Sequence, residues 1–224
     1  MLETAAVKAF WNWFVEQTRR QDDCDRNSFL QDLANQTGGE LARLSPSIAA
    51  EFSSIHGGYE LTLTAQGVRR FFPDVRQIAA EFPALAGWRV QSLRPVQTPK
   101  TAYSFEGLQA QTAQLRVHAV PVLSQFGVLL LLRGVEISDY VVFRNLGKRI
   151  VMDIVGEERF GLFVTDVQVM DHADCEAGGD GAISQPLPEI ASIIPAAPSI
   201  RPQFGQGTLA AVQANRLQDF RRLA

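Results

Sequence analysis

The sequence predicts an α+β protein: a single domain with a mainly antiparallel sheet of about six strands and helices mostly on one face. Three observations carry this expectation. Phe126–Val135, Phe-Gly-Val-Leu-Leu-Leu-Leu-Arg-Gly-Val, is the longest apolar run in the chain and reads as an interior strand covered on both faces. The segments before it are joined by links too short for a parallel crossover, which needs roughly a dozen residues or more, so they read as antiparallel neighbours. Two other stretches, near the N-terminus and after residue 138, repeat their apolar residues at the helical period. The domain is expected to span residues 1–194, with 195–224 forming a Pro- and Gly-rich tail that ends in a helical pattern.

Taken in order, Val7, Phe10, Trp11, Phe14 and Thr18 form the stripe of a first helix. Trp13 falls off that stripe and is expected to find a second contact or stay partly exposed. Gln21–Asn27 is polar and acidic and reads as a loop. Its Asp22, Asp23 and Asp25 lack the central Gly and closing Glu of a calcium loop. Asn27 or Ser28 caps a second helix with Leu30, Leu33, Leu41 and Leu44 on one face. Gly38-Gly39 is expected to interrupt it, since each Gly costs about 1 kcal/mol relative to Ala in a helix interior.

The period then changes to two. Ala49–Ile55 and Tyr59–Thr64 flank His56-Gly57-Gly58 as a hairpin with His56 at its tip. Phe72-Pro73-Asp74 opens a short helix with the stripe Val75, Ile78, Ala79 and Phe82, which Pro83 stops near Glu81. Trp88–Arg94, Tyr103–Ala110, Leu115–Val122 and Gly127–Val135 read as successive strands. Ser138 or Asp139 caps the clearest helix, on which Phe143, Leu146, Gly147, Ile150, Val151 and Ile154 share a face. Gly156 is its left-handed stop, and Glu157-Glu158-Arg159 follow as exposed charges. Phe163–Met170 alternates again as a last strand. Asp171–Gly181 reads as an acidic, Gly-rich loop, and Pro186–Ile194 as a helical turn that packs Leu187, Ile190, Ile193 and Ile194. Along Thr208–Leu223, Leu209, Val212, Phe220 and Leu223 fall roughly on one side.

The totals restrict the function. With 46% hydrophobic and 20% charged residues, the 224-residue chain has enough apolar material for a core. A formal net charge of −3 gives no field for nucleic acid or an acidic membrane surface. Val128–Leu132 is far too short to span a bilayer. Cys24 and Cys175 are the only cysteines and make no disulfide framework, and the first residues lack the signal-peptide pattern. The expected location is cytoplasmic, with both thiols reduced.

Several motifs fall in a suggestive order: Phe10-Trp11-x-Trp13-Phe14, Glu60-Leu61-Thr62-Leu63-Thr64, Phe82-Pro83-x-Leu85-x-Gly87-Trp88, Arg94-Pro95 and Gly156-Glu157. In this order the chain resembles a widespread family of uncharacterised bacterial proteins over roughly its first three quarters. The resemblance implies a bacterial cytosolic α+β domain. It implies no activity, because the family has none established.

No stretch carries a catalytic or cofactor signature. There is no Gly-x-Ser-x-Gly elbow, no phosphate loop and no Gly-x-Gly-x-x-Gly after a strand. The densest group of possible ligands is Asp171, His172, Asp174, Cys175 and Glu176, which offers carboxylate, imidazole and thiolate to a transition metal. Set against it, the group lies on one loop, with no second pair at zinc spacing. Glu157, Glu158 and Asp166 are a second candidate as paired carboxylates, but two adjacent glutamates past a helix do not define a cleft. The expectation is therefore a non-catalytic module that binds another protein, adaptor-like or immunity-like, or associates with itself, and takes no cofactor. Its contact residues are expected to be Trp13, Leu209, Val212, Phe220 and Leu223. The alternatives are a small-molecule or metal-dependent hydrolase using Asp171, His172, Asp174 and Cys175, and a homo-oligomeric structural protein.

Overall fold

The computed structural model describes residues 2–19, 26–132, 135, 137–171 and 185–195. The fold class is α+β, and its sheets are mixed. Among the described residues the strands form three small sheets of three, two and four strands rather than one sheet of about six. The chain falls into two compact units interleaved in sequence: residues up to Val96 with Gly156–Leu162, and Gln97–Val155 with the residues from Phe163 on.

In the first unit, α1 (Thr4–Thr18) buries Val7, Phe10, Trp11, Phe14 and Thr18, the five positions of the expected stripe. The rings interlock: Trp11 meets Phe14 edge-on at 5.5 Å and Phe82 at 4.9 Å, and Phe14 meets Trp88 at 5.1 Å. The indole N–H of Trp11 donates to the Ile78 carbonyl at 2.8 Å, so burying that ring leaves no orphaned donor.

The second helix, α2 (Arg26–Leu44), runs straight through Gly38-Gly39, contrary to the expected interruption. Phe29, Leu33 and Leu41 are buried on one face, and Leu30 and Leu44 pack against the same core. Their burial, worth about 1.5–3 kcal/mol per fully buried side chain, outweighs the cost of two glycines. Both glycines face open space.

The first sheet has β2 (Gly58–Thr64) in the middle, antiparallel to β1 (Ala49–Ile55) and parallel to β3 (Trp88–Ser92). The parallel pairing departs from the expected antiparallel order. Its physical reason is the intervening α3 (Phe72–Ala80), which supplies the crossover that a parallel pair requires. Gly58 sits so close to Gly87 that any Cβ would overlap the Gly87 carbonyl, which accepts a hydrogen bond from Tyr59 N–H at 2.8 Å.

In the second unit, Tyr103–Ala110 is not one strand. It is a hairpin, β4 (Ala102–Phe105) and β5 (Leu108–Gln111), turned at Glu106 (φ 47°) and Gly107 (φ 85°). Two successive left-handed residues give the turn twist that suits a two-residue hairpin. The four-stranded sheet runs β8 (Val164–Asp171), β7 (Gln125–Leu132), β6 (Arg116–Val122), β9 (Gln185–Pro186). As expected, the apolar run is an interior strand, with Val128, Leu130, Leu131 and Leu132 buried. It pairs antiparallel with β6 and parallel with β8. With this second parallel pair the sheets are mixed, where a mainly antiparallel sheet was expected.

Helix α4 (Tyr140–Val155) packs on this sheet. Phe143, Leu146, Gly147, Ile150, Val151 and Ile154 all face inward. A Cβ on Gly147 would lie 3.0 Å from Val169 and 3.4 Å from Leu130, so the absent side chain is what lets the helix approach the strands. Gly156 (φ 81°) stops the helix as expected. The next residues are not a loop of exposed charges, however: they form α5 (Glu157–Phe163), on which Glu157 is fully buried. After β9, Leu187–Glu189 makes a short turn into α6 (Ile190–Ile193), and Leu187, Ile190 and Ile194 are buried. Among the described residues no helix is long and apolar enough to cross a membrane.

Candidate functional site

The most constrained polar group in the first unit is Glu157. Gly156 adopts a left-handed backbone that ends α4 and lets the chain re-enter a helix at once. Glu157 thereby becomes the first residue of α5, where the helix dipole favours an anion. One carboxylate oxygen accepts from the Gly67 N–H at 3.0 Å and the other from the Arg94 N–H at 2.9 Å. The Glu157 N–H in turn donates to the Arg94 carbonyl at 2.9 Å. One side chain thus ties together three segments distant in sequence.

Both donors are presented by residues in unusual conformations. Gln66 (φ 54°) and Gly67 (φ 79°) are both left-handed, in a turn closed by Val68 N–H to the Ala65 carbonyl at 3.0 Å. Thr64 Oγ1 accepts the Gln66 N–H at 2.9 Å. Leu93 (φ 62°) is left-handed and buried directly before Arg94. A left-handed backbone costs a non-Gly residue about 1–2 kcal/mol. It persists here because it aims the following N–H at a buried carboxylate. The Arg94 guanidinium is itself buried and forms an ion pair with Glu51. In chemical terms, Glu157 is fully enclosed and accepts through both oxygens. That geometry suits a structural fastener and not a base facing a substrate.

In the second unit, Asp153, Lys100 and Tyr103 come together. Asp153 is buried on α4, with Lys100 Nζ 3.8 Å from its Oδ2. The Lys100 ammonium lies 5.7 Å from the Tyr103 ring centroid, and the Lys100 backbone N–H points to the Tyr103 hydroxyl at 3.5 Å. Burial pushes the Tyr103 phenol above its ordinary range; the Lys100 N–H works against that and the Asp153 charge adds to it. Sequence reasoning missed this cluster. Its one signal was Asp153 as the only charge within the otherwise apolar Ile150–Val155.

The residues singled out from sequence fare differently. Trp13 is half-buried, packs on the first unit's core and lies 6.0 Å from Phe10, which is the expected second contact. Asp171 ends β8, and its Oδ2 accepts from the Val135 N–H at 2.9 Å. His172, Asp174 and Cys175 lie outside the described residues, as do Leu209, Val212, Phe220 and Leu223. Among the described residues no group of three or more His, Cys, Asp and Glu is placed to hold a metal. The paired-carboxylate candidate is dispersed. Glu158 is exposed and pairs with Arg76 at 2.6 Å, Glu157 is enclosed, and Asp166 pairs with Arg144 at 2.6 Å in the other unit.

The architecture therefore defines an α+β protein with mixed sheets, in which Glu157 fastens backbone segments together. The sequence matches no protein-family model, no curated protein and no solved structure.

Proposed function

We propose that this chain is a non-catalytic binding module that docks on another protein in the bacterial cytosol, in line with the uncharacterised bacterial proteins it resembles. The observation that supports this reading is the engagement of Glu157. Both of its oxygens accept backbone N–H groups inside the first unit, so a carboxylate that an enzyme would expose to substrate is spent on architecture. Large apolar side chains stand exposed instead: Leu123 at 68% and Val141 at 69%. The proposed contact residues remain Trp13, Leu209, Val212, Phe220 and Leu223.

Comparing the full chain with a chain ending at residue 195 tests the reading. Affinity capture and light scattering would be run on both, and on Trp13→Ala in the full chain. The expected result is a stoichiometric protein partner that the full chain retains and the shortened chain loses. Unchanged capture and unchanged mass in the shortened chain would remove the tail from the interface. Stoichiometric metal in elemental analysis of the purified protein would replace this reading with the hydrolase that uses Asp171, His172, Asp174 and Cys175.

A further inference from the structure

Strand β8 is the outermost strand of the four-stranded sheet among the described residues. It is eight residues long and carries Val164, Val167 and Val169 as buried positions, the kind of edge that invites another strand to add. Its outward side is not left bare at Val167. The Val167 N–H donates to Asp166 Oδ1 at 2.9 Å, and the Val167 carbonyl accepts from Arg144 Nε at 3.2 Å. Arg144 then closes the ring by donating from Nη2 to the same Asp166 Oδ1 at 2.6 Å. A strand residue's N–H and C=O point to the same side, so both Val167 groups face away from β7 and both are taken by side chains.

A second feature lies next to it. Phe126 pairs with Val164 and Gly127 with Asp166, so Thr165 is an extra residue, a bulge at the start of the strand. Bulges and charged side chains are two separate ways of keeping an edge from pairing, and here they occupy consecutive positions.

We propose that Arg144 and Asp166 form a guard on the outer edge of β8 that keeps a second copy of this chain from adding its own β8 there. The occupant excluded is a second copy because the edge is self-complementary in the two-fold sense: an antiparallel pair of identical strands presents the same backbone groups to each other. The guard is independent of the partner-binding reading above, because it concerns a face that must stay unpaired whatever the protein docks on.

The test is Arg144→Met, which keeps the apolar stem and removes the donors. Arg144 and Asp166 side chains are 38% and 35% exposed, so neither is part of the closed core. Two measurements are read together: amide hydrogen exchange at Val167, and weight-average mass by light scattering over a concentration series. The expected result is a mass rising toward twice that of the wild type as concentration increases, with exchange at Val167 slowing over the same range as the added strand takes up its N–H. Adding Thr165→Lys, which gives up the Thr165 hydroxyl's bond to the Phe126 carbonyl and places a charge at the exposed bulge beside Asp166, is expected to return the mass to the wild-type value. Should Arg144→Met unfold, Asp166→Asn is read in the same way, with a smaller rise because its amide oxygen still accepts from Val167. A folded variant whose mass follows the wild type at every concentration overturns the proposal. So does a rise in mass that Thr165→Lys leaves unchanged, since association then runs through another surface.

Discussion

Replacing Glu157 with Gln changes almost nothing in volume and therefore isolates its hydrogen-bonding role. In the native protein the two carboxylate oxygens accept from Gly67 N–H at 3.0 Å and Arg94 N–H at 2.9 Å, and the side chain is fully buried. An amide has one acceptor oxygen, so one donor keeps a partner and the other meets an NH2 group. A buried donor left unsatisfied costs about 1–3 kcal/mol, and the surviving bond falls from a charge-assisted to a neutral one, a further loss of about 1 kcal/mol. Burying an amide in place of a carboxylate recovers part of this. The net expectation is a loss of about 1–3 kcal/mol. Glu157→Ala should cost more, about 4–6 kcal/mol, since it orphans both donors and leaves a cavity. Trp11, Trp13 and Trp88 are the only tryptophans and all belong to the first unit, so tryptophan fluorescence in urea reads the unit that Glu157 fastens. A Glu157→Gln midpoint equivalent to less than about 1 kcal/mol of change at constant denaturant slope would refute the reasoning, because buried N–H groups do not lose a carboxylate that cheaply.

Three further outcomes are expected. Gly38→Ala and Gly39→Ala should each raise stability by about 1 kcal/mol in the same urea assay, because both lie inside α2 with open space where a Cβ would go. Gly58→Ala should lower it by about 3 kcal/mol, because the new methyl overlaps a backbone carbonyl that cannot swing aside. Stability should fall as pH rises above about 10: burial raises the folded-state pKa of Tyr103 above its unfolded value, so its contribution is complete below that pH and is lost as the pH climbs through the folded value. Urea midpoints read by far-UV circular dichroism across the alkaline range should decline less steeply in Tyr103→Phe, because Tyr103 lies in the second unit and the tryptophans in the first, and parallel declines would count against it.

What was legible in the sequence was whatever a local period decides. The α1 stripe and the α4 stripe name their buried residues correctly because a helix side facing the core repeats every 3.6 residues whatever lies opposite. Strand β7 was legible as interior because a strand covered on both faces has no polar alternation to keep. Strand direction was legible where a short turn joins two strands, as in β1–β2 and β6–β7, and not where a helix intervenes. β3 and β8 run parallel to their neighbours, and that follows from helices α3 and α4 carrying the chain back across the sheet. The β4–β5 hairpin was hidden because Glu106 takes a left-handed conformation that usually falls to Asn, Asp or Gly. The break expected at Gly38-Gly39 failed because propensity is weak beside the burial of Phe29, Leu33 and Leu41.

The misreading of Glu157 has a different origin. A charged residue just past a helix is ordinarily solvated, and a buried carboxylate is ordinarily betrayed by a cation placed to meet it. Here the carboxylate is met by backbone N–H groups 90 and 63 residues away, and backbone groups carry no signature in a sequence. What makes those two donors available is conformation: the left-handed turn at Gln66-Gly67 and the left-handed Leu93. Neither Gln nor Leu is the residue expected there, so the strain and the carboxylate that offsets it are visible only together. The same logic separates this group from a catalytic one. A base must be able to release its partners to meet a substrate, whereas releasing Glu157 would orphan two buried donors and free two strained backbone positions at once.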